Sequence, residues 1–267
     1  MLEIQGHRGA RGHLPENTLP AFALALEFGV DTLELDVGVT RDGVVVVHHD
    51  RRLNPDVARG ADGKWVVAPA ATIFSMTFSE LQKIDVGRIR PGSDYAKRFP
   101  HQKPLDGTRI PALSQVLAFE KKFNIETKIS PEHPDETLFA GPFARALIAE
   151  IRKAGVERRA TIQSFDFRTH REVEREAPEI ETVYLTSGKD SVPAKVRAAG
   201  AKIWSPDFRE LTPEVLAAAR AEGLRIVAWT VNEPADIARM IETKIDGIIS
   251  DYPDRVIELL KRRTSKP

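Results

Sequence analysis

The chain has 267 residues, with 39 Lys plus Arg against 39 Asp plus Glu, so its formal net charge is zero. This leaves no basic excess for a phosphate backbone, and nucleic acid is not an expected partner. Cys is absent, which excludes disulfides, thiolate catalysis and zinc–thiolate sites, so any metal is held by oxygen or imidazole.

Short β-branched runs alternate with stretches whose apolar residues recur at three- and four-residue spacing. A first strand is predicted over 2–6 and a helix over 18–28, with Asn17 or Thr18 as its cap. Residues 1–6 enter that strand directly, with no signal-peptide pattern. A cytoplasmic location is therefore expected, although a trimmed leader and the periplasm suit a Cys-free chain too. Strands over 32–36 and 44–48 flank Arg41-Asp42-Gly43, which leaves no room for a crossover helix and reads as a hairpin turn. Pairing across it sets His48 opposite Asp36 and His49 opposite Leu35. Residues 50–110 are rich in Gly, Pro and charge and too long for a plain barrel loop; they read as an insertion with a short helix near 79–84. Further strands are predicted over 124–129, 160–164, 182–186, 202–205, 225–230 and 247–250, with helices over 143–154, 193–199, 213–221 and 234–241. Pro193, Pro213 and Pro234 sit where a first helical turn tolerates proline.

Repeated strand–helix units imply a parallel sheet, and their spread along the whole chain favours a closed TIM (β/α)8 barrel. The expected organisation is one barrel domain over 1–267, with the insertion at about 50–110 following the third strand. No apolar run reaches the ~20 residues of a transmembrane helix, so no stable membrane anchor is expected. No feature sets an oligomeric state.

Chemistry concentrates at the predicted C-terminal strand ends, where barrels build their active sites. His7-Arg8-Gly9 puts an imidazole and a guanidinium after the first strand, as an anionic substrate requires; a surface Arg at a strand end is the bland alternative. In Glu34-Leu35-Asp36 the two carboxylates share one face of a strand. Inside a barrel such a pair costs several kcal/mol or more unless a cation compensates it, whereas at a solvated strand end it forms ordinary salt bridges. Glu126-Thr127-Lys128 repeats the geometry with a carboxylate and an ammonium, either a third ligand beside a phosphate-binding cation or a structural ion pair. Oxygen ligands alone suit Mg2+ or Ca2+. His48-His49-Asp50 offers an imidazole near neutrality for acid–base work. Phe165 and Trp229, at later strand ends, either wall a pocket or pack, and Ser250-Asp251-Tyr252-Pro253 reads equally as a turn.

Taken in order, His7-Arg8-Gly9, Pro15-Glu16-Asn17-Thr18, Glu34-Leu35-Asp36-Val37, Thr40-Arg41-Asp42-Gly43, Val46-Val47-His48-His49-Asp50, Glu126-Thr127-Lys128, Gln163-Ser164-Phe165 and Trp229-Thr230-Val231-Asn232 closely resemble the glycerophosphodiester phosphodiesterases. The resemblance runs from the first strand to Asp251-Tyr252-Pro253. It implies a barrel enzyme that uses one divalent cation to hydrolyse glycerophosphodiesters, such as deacylated phospholipids, to glycerol 3-phosphate and an alcohol. It implies Glu34, Asp36 and Glu126 as metal ligands and His7 and His49 as the acid–base pair. Arg8 and Lys128 match phosphate-contacting positions, and Glu16 and Asn17 match the motif beside the site. The run after Asp50 lacks the family's frequent Arg-Thr-Thr, and Thr127 replaces the usual Ile or Leu on what should be an outward face. Residues 50–110 carry the weakest resemblance and are expected to set the alcohol preference. The rival readings are a sugar-phosphate isomerase or aldolase, a phospholipase D-like enzyme acting on intact lipid, and a non-catalytic anion-binding barrel.

Overall fold

The computed structural model describes residues 2–264; Met1, part of the N-terminal reading, lies outside them. In chain order the elements are β1 (Glu3–Gly6), α1 (Leu19–Phe28), β2 (Thr32–Val39), β3 (Val45–Val47), α2 (Phe78–Leu81), α3 (Asp94–Arg98), α4 (Leu113–Val116), β4 (Lys122–Thr127), α5 (Ala140–Ala154), β5 (Ala160–Ser164), α6 (Phe167–Glu176), β6 (Glu181–Thr186), α7 (Pro193–Ala198), β7 (Ile203–Pro206), α8 (Pro213–Ala221), β8 (Arg225–Ala228), α9 (Pro234–Glu242), β9 (Gly247–Ser250) and α10 (Pro253–Thr264).

All strands but β3 run parallel, and β1 closes the sheet by pairing with both β9 and β2. This is the (β/α)8 barrel anticipated from the strand–helix alternation. The additional strand, β3, pairs antiparallel with the far end of β2 in the register expected from the turn, Val37 opposite Val47 and Val39 opposite Val45. On that edge of β2, β1 occupies Thr32 and Leu33 and β3 takes over from Val37. The backbone between them carries Glu34 and Asp36, and the loop after β1 leaves over it.

Period-two alternation sorts the barrel residues. Leu33, Leu35, Phe123, Ile125, Ile162, Tyr184, Trp204, Ile226 and Ile248 face outward and form the main core beneath the helices. The interior divides in two. On the β6–β9 side Val183, Ile203, Val227 and Ile249 make an apolar plug. On the β1–β5 side Asn124 donates to Gln5 (2.9 Å) and Gln163 (3.0 Å), and Gln163 in turn donates to Glu34 (2.6 Å). Each of these buried amides has a partner, as burial requires, and the chain of bonds fixes the floor on which the acidic residues stand.

The structure corrects some boundaries. The strand expected over 124–129 lies two residues earlier, because its ladder with β2 pairs Thr32 with Lys122 and ends at Thr127. Ile129 already turns back to the Thr127 carbonyl (3.0 Å). Helix α6 was not anticipated, since its buried face is Thr169, His170 and Val173 and only the last of these is apolar. The short α4 and the C-terminal α10 were also missed. Between β3 and β4 the chain builds its own apolar cluster from Leu53, Ala58, Ile73, Leu81, Val86 and Ile110, anchored on Val46 of β3. Arg51 and Arg52 tie this segment to the loop after β4 by sharing Glu136, at 2.7 and 2.8 Å.

Candidate active site

Glu34 and Asp36 point into the barrel from β2, and Glu126 does so from β4, where the register sets it beside Asp36. One carboxylate oxygen from each lies within 4.8 Å of the others. All three are buried. Burial, then the charges of Asp36 and Glu126, push the Glu34 carboxyl well above the carboxylate range. Burial likewise raises Glu126 to about 7, against the pull of Lys128. Asp36 moves the other way: burial opposes its ionisation, but Arg8, His49 and Lys128 hold it well below its ordinary value. Its Oδ1 is buried without a hydrogen-bond partner, Lys128 Nζ standing 3.5 Å away. A compact all-oxygen set with an unsatisfied buried lone pair fits a hard divalent cation.

Two imidazoles flank this cluster. His7 follows β1, with Nδ1 2.7 Å from Asp251 Oδ1 and Nε2 3.9 Å from Glu34 Oε2. Burial lowers it to about 4, with Arg11 adding to the shift and Asp251 opposing it. His49 follows β3, with Nδ1 2.6 Å from Asp50 Oδ1, and Asn54 holds the other Asp50 oxygen at 2.7 Å. Burial, then Arg8, lowers His49 as well. Both rings are therefore oriented by a carboxylate at Nδ1 and keep Nε2 for the cavity.

The cations interlock with the acids. Arg8 Nε lies 3.1 Å from Asp36 and its guanidinium also reaches Glu16 at 2.8 Å. Lys128 Nζ lies 2.6 Å from Glu126. The sharp turn that brings Arg8 here depends on Gly9, whose φ of 85° belongs to the left-handed region. Above the acids opens a cavity of about 360 Å³ lined by His7, Arg8, Glu34, His49, Glu126 and Lys128, with Phe165, Leu185, Trp229 and Ile249 as its apolar wall. The segment between β3 and β4 contributes Asn54, Tyr95 and Arg98 to the opposite rim.

The structure thus brings together His7, Arg8, Glu34, Asp36, His49, Glu126, Lys128, Phe165 and Trp229, and Phe165 meets Trp229 edge to face at 5.5 Å. Glu16 and Asn17 approach the site indirectly. Thr18 caps α1, and this frees Asn17 to donate to Asp36 at 2.9 Å. Neither Glu16 nor Asn17 lies in the wall of the main cavity. His48 keeps its expected level, its N–H donating to the Asp36 carbonyl, but its ring turns to the Asp50 carbonyl at 2.8 Å, so His49 is the imidazole at the acids. Thr127 faces outward, 3.3 Å from Thr169 of α6. Sequence reasoning missed Arg11 and Tyr95 and gave Asn232 no role beyond its place in the Trp229-Thr230-Val231-Asn232 motif. Arg11 and Asn232 both bind Asp251, and Tyr95 joins Glu16 to Arg11. The signal available was Asp251 itself, an acid at a strand end that passed for a turn residue.

A family model for the glycerophosphoryl diester phosphodiesterase family matches residues 7–255. A glycerophosphodiester phosphodiesterase of Caldanaerobacter subterraneus subsp. tengcongensis is 32% identical over 265 residues, spanning 97% of this chain and 98% of that protein. A crystal structure from Silicibacter pomeroyi DSS-3 superposes with a TM-score of 0.93 at 35% identity, covering 98% of this chain and 94% of its own. An Oleispira antarctica phosphodiesterase, solved in complex with the product sn-glycerol-3-phosphate, shares the fold at a TM-score of 0.78 and 20% identity, over 97% of this chain and 96% of that one. With its barrel, its acidic cluster and a match across nearly its whole length, the chain belongs to the glycerophosphoryl diester phosphodiesterase family.

Proposed function

We propose that the protein hydrolyses glycerophosphodiesters to glycerol 3-phosphate and an alcohol, with one Mg2+ or Ca2+ held by Glu34, Asp36 and Glu126 and with His7 and His49 as the acid–base pair. The observation that carries this reading is the convergence, in one cavity, of three clustered carboxylates and two imidazoles, each backed by its own carboxylate. A non-catalytic anion-binding barrel has no use for two oriented imidazoles. Residues 1–267 are read as one phosphodiesterase domain with 50–110 as its insertion. Among the described residues no helix is long and apolar enough to cross a membrane.

When bound, the cation supplies charge that compensates the phosphoryl oxygens. Arg8 and Lys128 add fixed positive charge on the same side, preorganised by their ion pairs with Asp36, Glu16 and Glu126. One imidazole takes at Nε2 a proton from the attacking oxygen, and the other, in its protonated form, gives one to the departing alkoxide, each contributing about 10²–10⁴-fold. If the attacking oxygen is water the product forms directly, and if it is the neighbouring glycerol hydroxyl, water then opens the cyclic phosphate with the two roles reversed. Phe165, Leu185, Trp229 and Ile249 exclude water from the carbon skeleton of the substrate.

The test is incubation with a panel of glycerophosphodiesters and each divalent ion, with glycerol 3-phosphate as the readout. Release dependent on Mg2+ or Ca2+ and abolished by chelator is expected. Full activity after exhaustive chelation would remove the metal from the reading, and no release from any ester would remove the function.

A further inference from the structure

We propose that Arg98 makes the insertion side of the cavity an anion-binding subsite for the alcohol arm of the diester, so that an arm carrying negative charge is preferred to one carrying a quaternary ammonium. The inference rests on the phosphodiesterase reading of the site.

Four cations line the cavity: Arg8, Arg11, Arg98 and Lys128. Arg8 is engaged by Glu16 and Asp36, Arg11 by Asp251, and Lys128 by Glu126. Arg98 has no carboxylate within ion-pair distance among the described residues; its guanidinium lies over the rings of Tyr95 (5.5 Å) and Phe99 (5.6 Å). It is a positive charge at the rim with its donors open to a ligand.

The helix that carries it is held against the site. Ser93 caps α3, and Tyr95, one turn before Arg98, bonds both Glu16 and Arg11. Glu16 in turn holds Arg8. The helix that carries the exposed Arg98 side chain is thereby held relative to the phosphate-binding groups, which lowers the ordering cost of binding.

The same arrangement disfavours a choline-like arm. A quaternary ammonium is recognised by open aromatic faces. On this side Phe99 is covered by Arg11 (4.7 Å) as well as by Arg98, and Tyr95 by Arg98. The barrel-side wall of Phe165, Leu185, Trp229 and Ile249 is uncharged and suits glycerol carbons. The larger groove beyond Phe165 is lined by five basic and four acidic side chains, so it offers no strong bias of sign.

Three esters of glycerol 3-phosphate isolate the effect, with the alcohol being glycerol, glycerol bearing a second phosphodiester, or choline. The expected order of kcat/KM in the wild type is anionic, neutral, cationic, with the anionic-to-choline ratio about tenfold or more, as a hydrogen bond to a charged group provides. Arg98→Met should bring that ratio close to one, Arg98→Lys should keep part of it, and raising the ionic strength should shrink it in the wild type. A wild-type ratio near one, or a ratio that survives Arg98→Met, overturns the proposal. If no ester is hydrolysed, the phosphodiesterase reading fails separately. Calorimetric titration of the same three esters into the Ca2+-equilibrated protein then decides on Arg98: tighter binding of the anionic ester, lost in Arg98→Met, supports it, and equal or undetectable binding overturns it.

Discussion

His7 Nδ1 and Asp251 Oδ1 lie 2.7 Å apart although 244 positions separate them, so closing the barrel between β9 and β1 is what completes this pair. Asp251 is itself locked by Arg11, at 2.6 Å to Oδ1 and 3.1 Å to Oδ2, and by Asn232 at 2.7 Å. The Arg11 and His7 charges hold its carboxyl far below the ordinary range, against burial. An ionised Asp251 accepts from Nδ1–H and therefore fixes the His7 tautomer with Nε2 bare toward the acids. Asp251→Asn disturbs that tautomer while keeping the volume. The expected result is a fall in kcat of about 10²-fold or more with KM little changed. Steady-state kinetics checks it, with circular dichroism confirming the fold. An unchanged kcat would separate His7 from the chemistry.

His49 is oriented more loosely. Its carboxylate is the next residue in the chain, and its ring is 30% exposed against 12% for His7. His49→Ala removes the proton-transfer group and should lower turnover at least about 10²-fold. Asp50→Asn should cost less than Asp251→Asn, because Asn54 and the chain still hold the loop. Measuring kcat for the three variants tests the ranking, and equal losses for the two Asp variants would contradict it.

The barrel was legible because its signals are local: β-branched runs, proline at helix starts and the tight turn over Arg41-Asp42-Gly43. Glu34 with Asp36, and Glu126 with Lys128, were legible because i, i+2 spacing on a strand places both side chains on one face. The roles of Arg11, Asn232 and Tyr95 were not, because they depend on which loops the closed barrel brings together, and Tyr95 arrives from a segment with no periodicity of its own. The division of the barrel interior into an amide-lined half and an apolar half was equally hidden. It becomes visible only once the register tells which alternate residues point inward. Asn17 was singled out for its motif, but its bond to Asp36 follows from Thr18 taking the cap.

Gly9 is the backbone pivot of the first cluster. A Cβ there would meet the Ala21 carbonyl carbon at 2.6 Å and its oxygen at 2.7 Å, and φ is 85°. The obstructing atoms are backbone of α1, which cannot rotate away. Gly9→Ala should destabilise the protein by about 1–3 kcal/mol from the strained conformation alone, with the overlap adding to it. It should also displace Arg8, whose N–H donates to Glu34 at 2.9 Å. Thermal denaturation and kcat measured well below the transition check both effects. A variant with wild-type Tm would show that the loop after β1 has slack that this packing denies.

The acidic cluster also predicts how cation binding varies with pH. Glu126 is raised from 4.5 to about 7, and Glu34 is raised as well, so the native chain holds these protons more tightly than the unfolded one. Their contribution to stability is present at low pH and is lost as pH climbs from 4.5 through the native values. His7 and His170, both lowered from 6.5 to about 4, act oppositely, since the unfolded chain takes up their protons first as pH falls below 6.5. The two effects oppose each other between pH 4.5 and 6.5, whereas above 6.5 only the carboxyls change. Chelated protein should therefore lose stability as pH rises from about 6.5 through about 7. Saturating Mg2+ or Ca2+ replaces those protons, so the Tm gain on adding the cation should grow across the same interval. Glu126→Gln should flatten both slopes, because an amide has no proton to lose and is a weaker ligand. Denaturation scans with chelator and with cation, at several pH values across this window, read the difference directly. A cation-induced gain that stays constant with pH and persists in a Glu34→Gln, Glu126→Gln double variant would place the ion elsewhere than at these carboxylates.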